Sequence, residues 1–580
     1  MKKNKQKNYT EKIKVTGAEA VALSLIGEGI KHAFGYPGGA IMPIHDSLYK
    51  HKNSIDHLVV RHEQAAVHAA QGYARSTGKV AAVFVTSGPG ATNLITGLAD
   101  AFADSTPLVC ITGQVTEALL GSDAFQEVDI ISISASVTKW NYQVTKAREV
   151  PEIVAKAFYI AGSGRPGPVL IDITKNAQLS ELDFNYVKCK GIPGYTPYPV
   201  PDKNHIEKAA ALINSAFKPM VLIGQGILLG KAEGELLKFI NKTGMPVAST
   251  LLGLSAIPTT HPQFVGMLGM HGNYSPNIKT NECDLLIAIG MRFDDRVIGD
   301  PKRYGINATV IHIDIDQSEI GKNIRAHIPL TGNAKDVLSW LNKLVIKRDH
   351  QEWLLEFANC FEKEFREVIS NDINSSSSEI NMGEVMDTIN KNSSGNEIFI
   401  IDVGQHQMIS ARYLKLSVPR SFITSGGLGT MGFSLPAAIG AKTGSKDKSV
   451  IAIMGDGGFQ MNIQELGTIA QSGLPIKIII LNNSYLGMVR QWQEMFFDKR
   501  YAFTEMKNPD FVKIAEGYGI QGKRLTEKTD LDGSIKILLD SKAPFLLEIA
   551  VQKLGNVFPM VPAGASVDQV ILKPADNKDI

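Results

Sequence analysis

The sequence is poor in cysteine and has no long apolar run. It holds only four cysteines in 580 residues, and they are too far apart for a disulfide framework or a zinc site. No apolar stretch approaches the roughly 18 residues of a membrane-spanning helix. We therefore expect a soluble protein that is not secreted and whose thiols stay reduced, namely Cys110, Cys189, Cys283 and Cys360.

An excess of charge of either sign is also missing. Sixty Lys and Arg residues face 58 Asp and Glu residues, so the formal net charge is only +2. Such a balance argues against nucleic acid as the main partner. The segment Met1–Lys14 is rich in lysine but has no arginine and no apolar stretch behind it. It therefore resembles neither a secretory signal nor a mitochondrial transit peptide, and we expect a solvated terminus.

The length and two breaks in composition predict several domains. A chain of 580 residues exceeds what one hydrophobic core usually organises. Residues 191–201 are rich in proline and glycine, and residues 371–378 are almost entirely polar, so both are candidate linkers. They predict three domains, at about 13–188, 200–368 and 380–570, each of ordinary domain size.

Each of the three parts repeats one pattern. A short, β-branched apolar run is followed by a glycine- or asparagine-containing turn and then by an amphipathic stretch. The clearest runs are Val80–Thr86, Met220–Ile223, Leu285–Ile289, Val450–Met454 and Ile476–Leu481. Buried strands that alternate with helices predict an α/β protein with three doubly wound parallel sheets. Ligands of such sheets bind beyond the carboxyl ends of the strands.

Two of these turns predict a metal and phosphate site. Gly455-Asp-Gly457 follows one predicted strand, and Asn482-Asn483 ends the next. If the strands are neighbours, Asp456 and Asn483 lie side by side, and the main-chain carbonyl of Tyr485 is close. Such oxygen ligands suit an octahedral Mg²⁺ that also takes diphosphate oxygens. Gly455 and Gly457 would let the backbone approach the phosphates. Taken alone, each piece is also ordinary turn chemistry.

In order and spacing this pair resembles the metal motif of thiamine-diphosphate enzymes. The resemblance of the chain as a whole extends over roughly residues 13–570. In that family a glutamate activates the aminopyrimidine ring, and Glu63 holds the matching place. The resemblance implies further cofactor contacts from Pro37, Gly38, Asn93, Gln405 and His406, with Met431 beneath the bent cofactor. From the residues alone, Glu63 also suits a helix N-terminus and Met431 suits core packing.

Narrower motifs resemble the catalytic subunits of acetolactate (acetohydroxyacid) synthases. These are Asp123-Ala-Phe-Gln-Glu127, Ile171-Asp-Ile-Thr-Lys175 and the segment 482–492. The likeness implies that Phe125, Gln126 and Lys175 line the active site and that Arg296 contacts the carboxylate of the second substrate. It also implies that Trp492 packs against the ethyl group of 2-oxobutyrate. A surface lysine and a structural tryptophan are the plain alternatives for Lys175 and Trp492.

Segments of the middle part resemble the FAD-binding segments of the biosynthetic synthases. They are Gly290-Met-Arg-Phe-Asp-Asp-Arg296, Met267–Gly272 and Ile311–Asp316, whereas Gly224–Gly230 is only an approximate dinucleotide loop. Asn333 stands where the family usually has aspartate. The resemblance implies flavin contacts from Arg165, Gly224, Gly226, His271, Arg292, Asp314 and Asn333.

The resemblance implies an enzyme that decarboxylates pyruvate and joins the two-carbon unit to pyruvate or 2-oxobutyrate, the first common step of branched-chain amino acid synthesis. It implies thiamine diphosphate, Mg²⁺ and FAD as cofactors. It also implies a homodimer or dimer of dimers, in which Glu63 and Asp456 meet across subunits, and a smaller regulatory subunit. The expected location is a bacterial cytoplasm or a plastid stroma.

Three other functions remain open at this point. An FAD-dependent pyruvate oxidase would share the fold and most of the motifs. The glycine turns also suggest an NAD-dependent dehydrogenase, although no clean fingerprint follows a first strand. A catalytically silent regulatory homologue would be expected to have lost the glutamate or the metal ligands, and all of these are present.

Overall fold

The computed structural model describes residues Ile13–Lys573, so nearly all of the predicted solvated terminus lies outside the described residues. Contacts divide the chain into two compact units. The first contains the chain up to Tyr195 together with Ile439–Gly444, and the second contains Thr196–Ala438 and the chain from Ser445 onward. The division after Tyr195 falls inside the Pro- and Gly-rich segment 191–201. The domain bounds given above stay a prediction.

The first unit is built on a six-stranded parallel sheet. The strands of this unit are β1 Ile13–Thr16, β2 His32–Gly35, β3 Asp56–Val59, β4 Ala81–Val85, β5 Leu108–Gln114, β6 Trp140–Val144, β7 Pro168–Thr174 and β8 Glu181–Phe184, of which β2 to β7 form the six-stranded sheet. The sheet order is β3-β2-β4-β5-β7-β6, and β1 pairs with β8 antiparallel. The helices are α1 Gly17–Glu28, α2 Met42–Lys50, α3 Glu63–Thr77, α4 Pro89–Thr92, α5 Ile95–Ala103, α6 Ile130–Ser134, α7 Val150–Gly162 and α8 Lys175–Leu179.

The second unit contains two further six-stranded parallel sheets. The strands of the central sheet are β9 Pro219–Ile223, β10 Val247–Ser249, β11 Phe264–Met267, β12 Leu285–Ile289, β13 Thr309–Asp314 and β14 Ile328–Thr331, in the order β11-β10-β9-β12-β13-β14. Those of the C-terminal sheet are β15 Ile398–Ile401, β16 Phe422–Thr424, β17 Val450–Gly455, β18 Ile476–Asn482, β19 Gln521–Leu525 and β20 Phe545–Ala550, in the order β16-β15-β17-β18-β20-β19.

Helices alternate with the strands along this part of the chain. They are α9 Lys203–Ser215, α10 Gly226–Leu229, α11 Glu233–Thr243, α12 Tyr274–Thr280, α13 Asp295–Ile298, α14 Ala334–Leu344, α15 Gln351–Glu364, α16 Ser370–Ile373, α17 Met382–Asn392, α18 Gln405–Tyr413, α19 Ser434–Gly444, α20 Asp456–Met461, α21 Leu466–Ser472, α22 Gly487–Phe496, α23 Phe511–Gly517 and α24 Leu531–Asp540. A π-helical turn, Phe365–Ile369, joins α15 to α16.

The strands are apolar on both sides because both faces of each sheet are covered. In β4, Ala82 and Phe84 belong to one buried cluster, while Ala81 and Val83 belong to the cluster on the opposite face. In β9, Val221 and Met220 divide between two clusters in the same way. This arrangement explains why the strands appear as continuous apolar runs rather than as alternating ones. Burying each Val, Met or Phe side chain of these strands is worth about 1.5–3 kcal/mol.

Each sheet changes direction once between neighbouring strands. In the first sheet the chain leaves β2 for β3 on one side and returns to place β4 on the other. The same reversal separates β9 from β12 and β15 from β17. A crevice forms beyond the carboxyl ends of the strands at such a reversal, where the flanking loops part. The turns after these strands are therefore the places to look for ligands.

The prediction of three doubly wound parallel sheets is confirmed, and the five apolar runs form β4, β9, β12, β17 and β18. The polar run 371–378 differs from the prediction because its first residues are helical, in α16. The hydroxyl of Tyr413 donates a hydrogen bond to Asp372 Oδ2 at 2.6 Å. Composition alone missed this contact because Tyr413 lies far along the chain.

Among residues 13–573, no helix combines the length and the apolar character needed to cross a bilayer. The four cysteines are free; Cys110 and Cys283 are buried, while Cys189 and Cys360 are half-buried.

Two histidines of the first unit pack against each other with unsatisfied nitrogens. The rings of His45, on α2, and His57, on β3, meet edge to face with centroids 4.9 Å apart. Among the described residues, Nε2 of each ring is buried without a hydrogen-bond partner. Burial, with the nearby His45 adding to it, lowers the pKa of His57 to about 3. Burial also lowers the pKa of His45.

This pair should make the fold sensitive to acid. The unfolded chain takes up a proton at His57 near the ordinary pKa of about 6.5, whereas the folded protein does so only near the lowered value. The free energy of unfolding should therefore fall as the pH drops below about 6.5. We expect His57→Phe to reduce this decline by up to about 1.4 kcal/mol per pH unit, measured by urea unfolding between about pH 5 and 7.

The control for repacking is Phe84→Leu, since the Phe84 ring lies 6.2 Å from that of His57 but both histidines remain. It should lower the stability at every pH and leave the pH slope unchanged. A wild-type slope in His57→Phe would contradict the interpretation.

Candidate functional site

The C-terminal sheet brings the predicted metal ligands to one edge. Strands β17 and β18 pair in parallel with Gly455 opposite Leu481, so Asp456 and Asn483 follow neighbouring strand ends. Asp456 is 1% exposed, and Asn483 is also buried. Burial raises the pKa of Asp456 to about 6, although the side chain of Asn508 and main-chain N–H groups, including that of Ser484, donate to it. A buried carboxylate of this kind suits a bound cation.

Asn483 lies in a network of amide side chains. Its Oδ1 accepts a hydrogen bond from the main-chain N–H of Tyr485 at 3.1 Å, and its Nδ2 lies 3.4 Å from Gln405 Oε1. Gln405 Nε2 in turn donates to Gln491 Oε1 at 2.9 Å and to the carbonyl of Gly555 at 2.8 Å. The structure therefore brings the predicted residues Asn483, Tyr485 and Gln405 together.

Glycines form a floor beside these side chains. A Cβ on Gly457 would lie 2.8 Å from Leu486 Cδ2 and 3.6 Å from Met431 Cε, so the predicted Met431 lies next to this turn. A Cβ on Gly455 would lie 3.2 Å from the ring of His406. A Cβ at either position would meet neighbouring side chains, including Met506 Sδ at 3.2 Å from a Cβ on Gly457, so glycine is required at this closely packed turn.

His406 supplies a neutral imidazole at this floor. Its Nε2 is buried and has no hydrogen-bond partner among the described residues. Burial lowers the pKa of His406 to about 4, so the ring is neutral near pH 7. A buried polar atom without a protein partner is costly unless a ligand or water supplies one. Together with the oxygen ligands and the glycine floor, it fits a metal-bound diphosphate.

Two residues of this site were missed from the sequence. Asp402, which directly follows β15, is buried and accepts main-chain hydrogen bonds from Gly432 at 3.0 Å and Ser434 at 2.9 Å, which fixes the loop that carries Met431. Asn508 donates to Asp456 Oδ2 at 2.6 Å. A strand-end position could have indicated Asp402. Asn508 lies 52 residues from its partner, and the sequence carries no comparable signal for it.

The first unit holds other predicted cofactor contacts. Glu63 begins α3 after a short turn that follows β3, and Asn93 Nδ2 donates to Glu63 Oε2 at 2.9 Å. The loop of Pro37 and Gly38 follows β2, and a Cβ on Gly38 would lie 2.5 Å from the Cβ of Thr86, which follows β4. A Cβ on Gly90 would lie 3.4 Å from Glu63 Oε1. The predicted residues thus meet at the carboxyl edge of this sheet, at its reversal.

The loop after β5 lies against the same edge. Gln126 has a left-handed backbone, with φ +58°, and a Cβ on Gly88 would lie 2.9 Å from its carbonyl oxygen. The carboxylate of Glu127 accepts main-chain hydrogen bonds from Gly121 and Ala124, chiefly the first, and these lower the pKa of Glu127. Gln126 is therefore held beside the loop that precedes Asn93.

Phe125 and Lys175 stay on the surface of the first unit. The side chain of Phe125 is 88% exposed. Lys175 is exposed at the first position of α8, directly after the carboxyl end of β7. Both lie at the expected edge, yet nothing within their own unit encloses them. Their predicted roles in the active site stay predictions.

Trp492 lies on α22, the helix that follows the Asn483 turn. Its ring packs against Phe496 with centroids 5.1 Å apart. The helix is anchored on its other side, where Gln491 is buried and exchanges hydrogen bonds with the main chain of Val557, at 2.9 and 3.1 Å. Buried Arg490 donates to the carbonyl of Gly555. These contacts fix the direction in which Trp492 projects.

The central sheet forms a glycine crossing at its reversal. The main-chain N–H of Gly226 donates to the carbonyl of Gly290 at 3.0 Å. A Cβ on Gly226 would lie 2.4 Å from Gly290 Cα, and Gly290 has φ +59°. Gly224 is equally enclosed, since its Cβ would lie 2.2 Å from the Gly290 carbonyl oxygen. Only glycine permits the two loops to approach this closely.

Other predicted flavin residues surround the carboxyl edge of this sheet. Asp314 ends β13, and Asn333 caps α14 by accepting from the N–H of Lys335 at 2.9 Å. His271 Nδ1 is buried without a hydrogen-bond partner among the described residues. Burial, with the charges of Arg412 and Arg296 adding to it, lowers the pKa of His271 to about 4.

The predicted arginines are more exposed. Arg292 Nε lies 3.7 Å from Asp294 Oδ2, and the side chain of Arg296 is 65% exposed beside Met270. Arg165 belongs to the first unit, where its Nε donates to Ser105 Oγ at 2.9 Å. A dinucleotide with a diphosphate fits this edge, which offers the orphaned imidazole of His271, the glycine crossing and the exposed side chains of Arg292 and Arg296.

In residues 13–573 no group of three or more His, Cys, Asp or Glu side chains could hold a metal ion.

Three parallel sheets with a site of this kind define a class of enzyme, and comparison with known families shows which one. The thiamine pyrophosphate enzyme models match in chain order: the N-terminal TPP binding domain at residues 15–133, the central domain at 206–341 and the C-terminal TPP binding domain at 402–549. The chain belongs to the thiamine pyrophosphate enzyme family.

Within that family the chain is similar to acetolactate synthase large subunits over nearly its full length. It is 43% identical to the isozyme 2 large subunit of Escherichia coli K12, over 96% of this chain and 100% of the relative. It is 44% identical to a "probable acetolactate synthase large subunit" of Methanococcus aeolicus, over 96% and 95%. It is 43% identical to the large subunit of Corynebacterium glutamicum, over 95% and 89%.

If the glycine crossing forms the flavin site, a side chain at the crossing should weaken flavin binding. Gly226→Ala would force a methyl group against the Gly290 backbone and so separate the loops that are predicted to hold FAD. We expect flavin affinity to fall by about tenfold or more, which corresponds to about 1.4 kcal/mol or more. Titration of the flavin-free protein with FAD, followed by flavin fluorescence, measures this.

The matched control is Gly234→Ala on α11, where an added Cβ meets no atom within 4 Å. That variant should bind flavin as the wild type does and gain up to about 1 kcal/mol of stability. Equal flavin affinity in both variants would show that the crossing does not form the site.

Proposed function

We propose that this chain is the catalytic subunit of an acetolactate synthase. The reaction takes two molecules of pyruvate to 2-acetolactate and CO₂, or pyruvate and 2-oxobutyrate to 2-aceto-2-hydroxybutyrate and CO₂. One observation carries the proposal: buried Asp456 and Asn483 follow adjacent parallel strands in a chain that matches acetolactate synthase large subunits over nearly its full length. The same relatives speak against an FAD-dependent pyruvate oxidase.

The cofactor residues form a consistent donor set. Asp456, Asn483 and the carbonyl of Tyr485 would hold Mg²⁺, because they offer hard oxygen ligands and leave the remaining positions to phosphate and water. Gln405, His406, Gly455 and Gly457 would surround the diphosphate. When bound, thiamine diphosphate supplies the carbon nucleophile and the electron sink that allow a 2-oxo acid to lose CO₂.

Glu63 is the residue that would handle a proton. Asn93 engages its Oε2, and its Oε1 lies beside Gly90. A carboxyl oxygen held in this way can exchange a proton with a ring nitrogen placed beside it. Asn93 acts on the orientation of Glu63 rather than on the substrate. Pro37 and Gly38 would shape the wall of the same pocket.

The substrate residues provide positive charge and an apolar surface. Lys175 and Arg296 are exposed cations suited to the carboxylates of 2-oxo acids, and Gln126 can donate a hydrogen bond to a carbonyl oxygen. Phe125 and Trp492 offer apolar rings. An extra methylene in an apolar pocket is worth about 1–3 kcal/mol, so Trp492 can favour 2-oxobutyrate over pyruvate as acceptor without excluding pyruvate.

We also propose that the chain binds FAD at the central sheet and its flanking residues. Asn333 would serve as a hydrogen-bond acceptor where an aspartate is usual. We infer a homodimer or a dimer of dimers as the active form. The relatives are designated large subunits, which supports a smaller regulatory partner. The proposed location is a bacterial cytoplasm or a plastid stroma.

The proposed role of Glu63 can be tested directly. Glu63→Gln keeps the size of the side chain and its contact with Asn93 but removes the carboxyl that exchanges a proton. We expect acetolactate formation from pyruvate to fall by about 10²–10⁴-fold. The assay converts acetolactate to acetoin with acid, in the presence and in the absence of thiamine diphosphate and Mg²⁺.

The control is Glu117→Gln, because the Glu117 carboxylate forms an exposed ion pair with Lys146 in the same unit. It should retain near-wild-type turnover. Circular dichroism of both variants establishes that the fold is intact. Acetolactate formation at the wild-type rate by Glu63→Gln would refute the assignment.

A further inference from the structure

Asn508 joins three parts of the proposed metal site. It lies between Met506, whose N–H donates to the carbonyl of Ser484 at 2.9 Å, and helix α23. Its Nδ2 donates to Asp456 Oδ2 at 2.6 Å and to Asn482 Oδ1 at 2.9 Å. Its Oδ1 accepts from Gln460 Nε2 at 2.9 Å. One amide therefore bridges the end of β18 and two residues of α20.

The orientation of this amide follows from the chemistry of its partners. An ionised carboxylate only accepts hydrogen bonds, so the NH₂ group of Asn508 must face Asp456. Its carbonyl oxygen then faces the NH₂ group of Gln460, which can donate. Both N–H bonds and the oxygen of the Asn508 amide are therefore used.

Asn508 is itself anchored to the interior of the sheet. Its partner Asn482 donates through Nδ2 to Glu548 Oε1 at 2.8 Å, and Glu548 on β20 is buried. Arg524 on β19 donates to the other oxygen of Glu548 at 2.9 Å. The chain Arg524–Glu548–Asn482–Asn508–Asp456 therefore links three neighbouring strands to the proposed metal ligand.

We propose that Asn508 is a positioning residue that fixes the carboxylate of Asp456 for a divalent cation and thereby sets the affinity of the site for Mg²⁺ and diphosphate. Its hydrogen bond engages Oδ2 of Asp456 and so fixes the orientation of the carboxylate. Partners of this kind, which hold a ligand without touching the metal, typically contribute 10–100-fold to metal affinity. The inference rests on the proposed function and adds a residue to it.

The test is a series at position 508 in the full-length protein. Asn508→Ala removes both donors, and Asn508→Ser keeps one shorter donor. With thiamine diphosphate in excess, the Mg²⁺ concentration for half-maximal acetolactate formation should rise by about 10–100-fold in Asn508→Ala and by less in Asn508→Ser. Turnover at saturating Mg²⁺ should stay close to that of the wild type.

A second readout does not depend on turnover. Titration of Mg²⁺ into protein with excess thiamine diphosphate, followed by intrinsic tryptophan fluorescence, should give the same order of affinities: wild type, then Asn508→Ser, then Asn508→Ala. Lys507→Ala is the matched control, because the Lys507 side chain is exposed in the same segment. It should bind Mg²⁺ as the wild type does.

The outcomes separate the two proposals. An unchanged Mg²⁺ affinity in both position-508 variants, with a wild type that binds Mg²⁺ normally, overturns the inference and leaves the proposed function standing. Lower turnover and a lower unfolding midpoint without any change in Mg²⁺ affinity would assign Asn508 a purely structural role, which also overturns it. A wild type that shows no Mg²⁺-dependent signal at all would instead remove the proposed function.

Discussion

The proposed site depends on one buried carboxylate that forms no ion pair with a Lys, Arg or His side chain among residues 13–573. Asp456 is 1% exposed at the end of β17, and its pKa is raised to about 6 by burial. A buried, ionised carboxylate without a counter-charge costs several kcal/mol. Hydrogen bonds from Asn508 and from nearby main-chain N–H groups offset part of this cost. A divalent cation would supply the rest, so the proposed binding of the cofactor depends on this position.

The parallel-sheet topology explains why the other functional groups lie where they do. Each sheet reverses once, and each reversal carries a glycine-rich turn: Gly38 in the first sheet, Gly226 and Gly290 in the central sheet and Gly457 in the C-terminal one. The carboxyl edge of one sheet is suited to a metal-bound diphosphate, and that of another holds a carboxyl group fixed by an amide. Three doubly wound parallel sheets, of which the central one has its own strand order, thus offer three different ligand edges.

The sequence predicted those parts of the structure that depend on local pattern. Apolar runs identified strands such as β12 to the residue. Turns that directly follow strands indicated Asp456, Asn483 and Gly226 as candidate ligand contacts, and these roles stay predictions. The predicted positions of Glu63 and Asn93 came from motif resemblance, and the structure joins the two by a hydrogen bond at 2.9 Å. Asp372 was assigned to a linker because a polar run gives no sign of a distant tyrosine.

Asn508 could not be predicted for a related reason. Asparagine before proline is common in turns, and its role here arises only because the loop returns to β18 and places the amide against Asp456. Long-range polar contacts of this kind leave no periodic pattern in the sequence from which they could be predicted. The roles of Phe125 and Lys175 stay predictions, because each is exposed within its own unit.

The most direct measurement is calorimetric titration of thiamine diphosphate into the purified protein, with Mg²⁺ and with a chelator, for the wild type and for Asp456→Ala. We expect the wild type to bind thiamine diphosphate saturably and only with Mg²⁺, and the variant not to bind it under either condition. Binding that is equally tight in chelator, or in the variant, would contradict the claim that Asp456 holds the metal ion on which the cofactor depends.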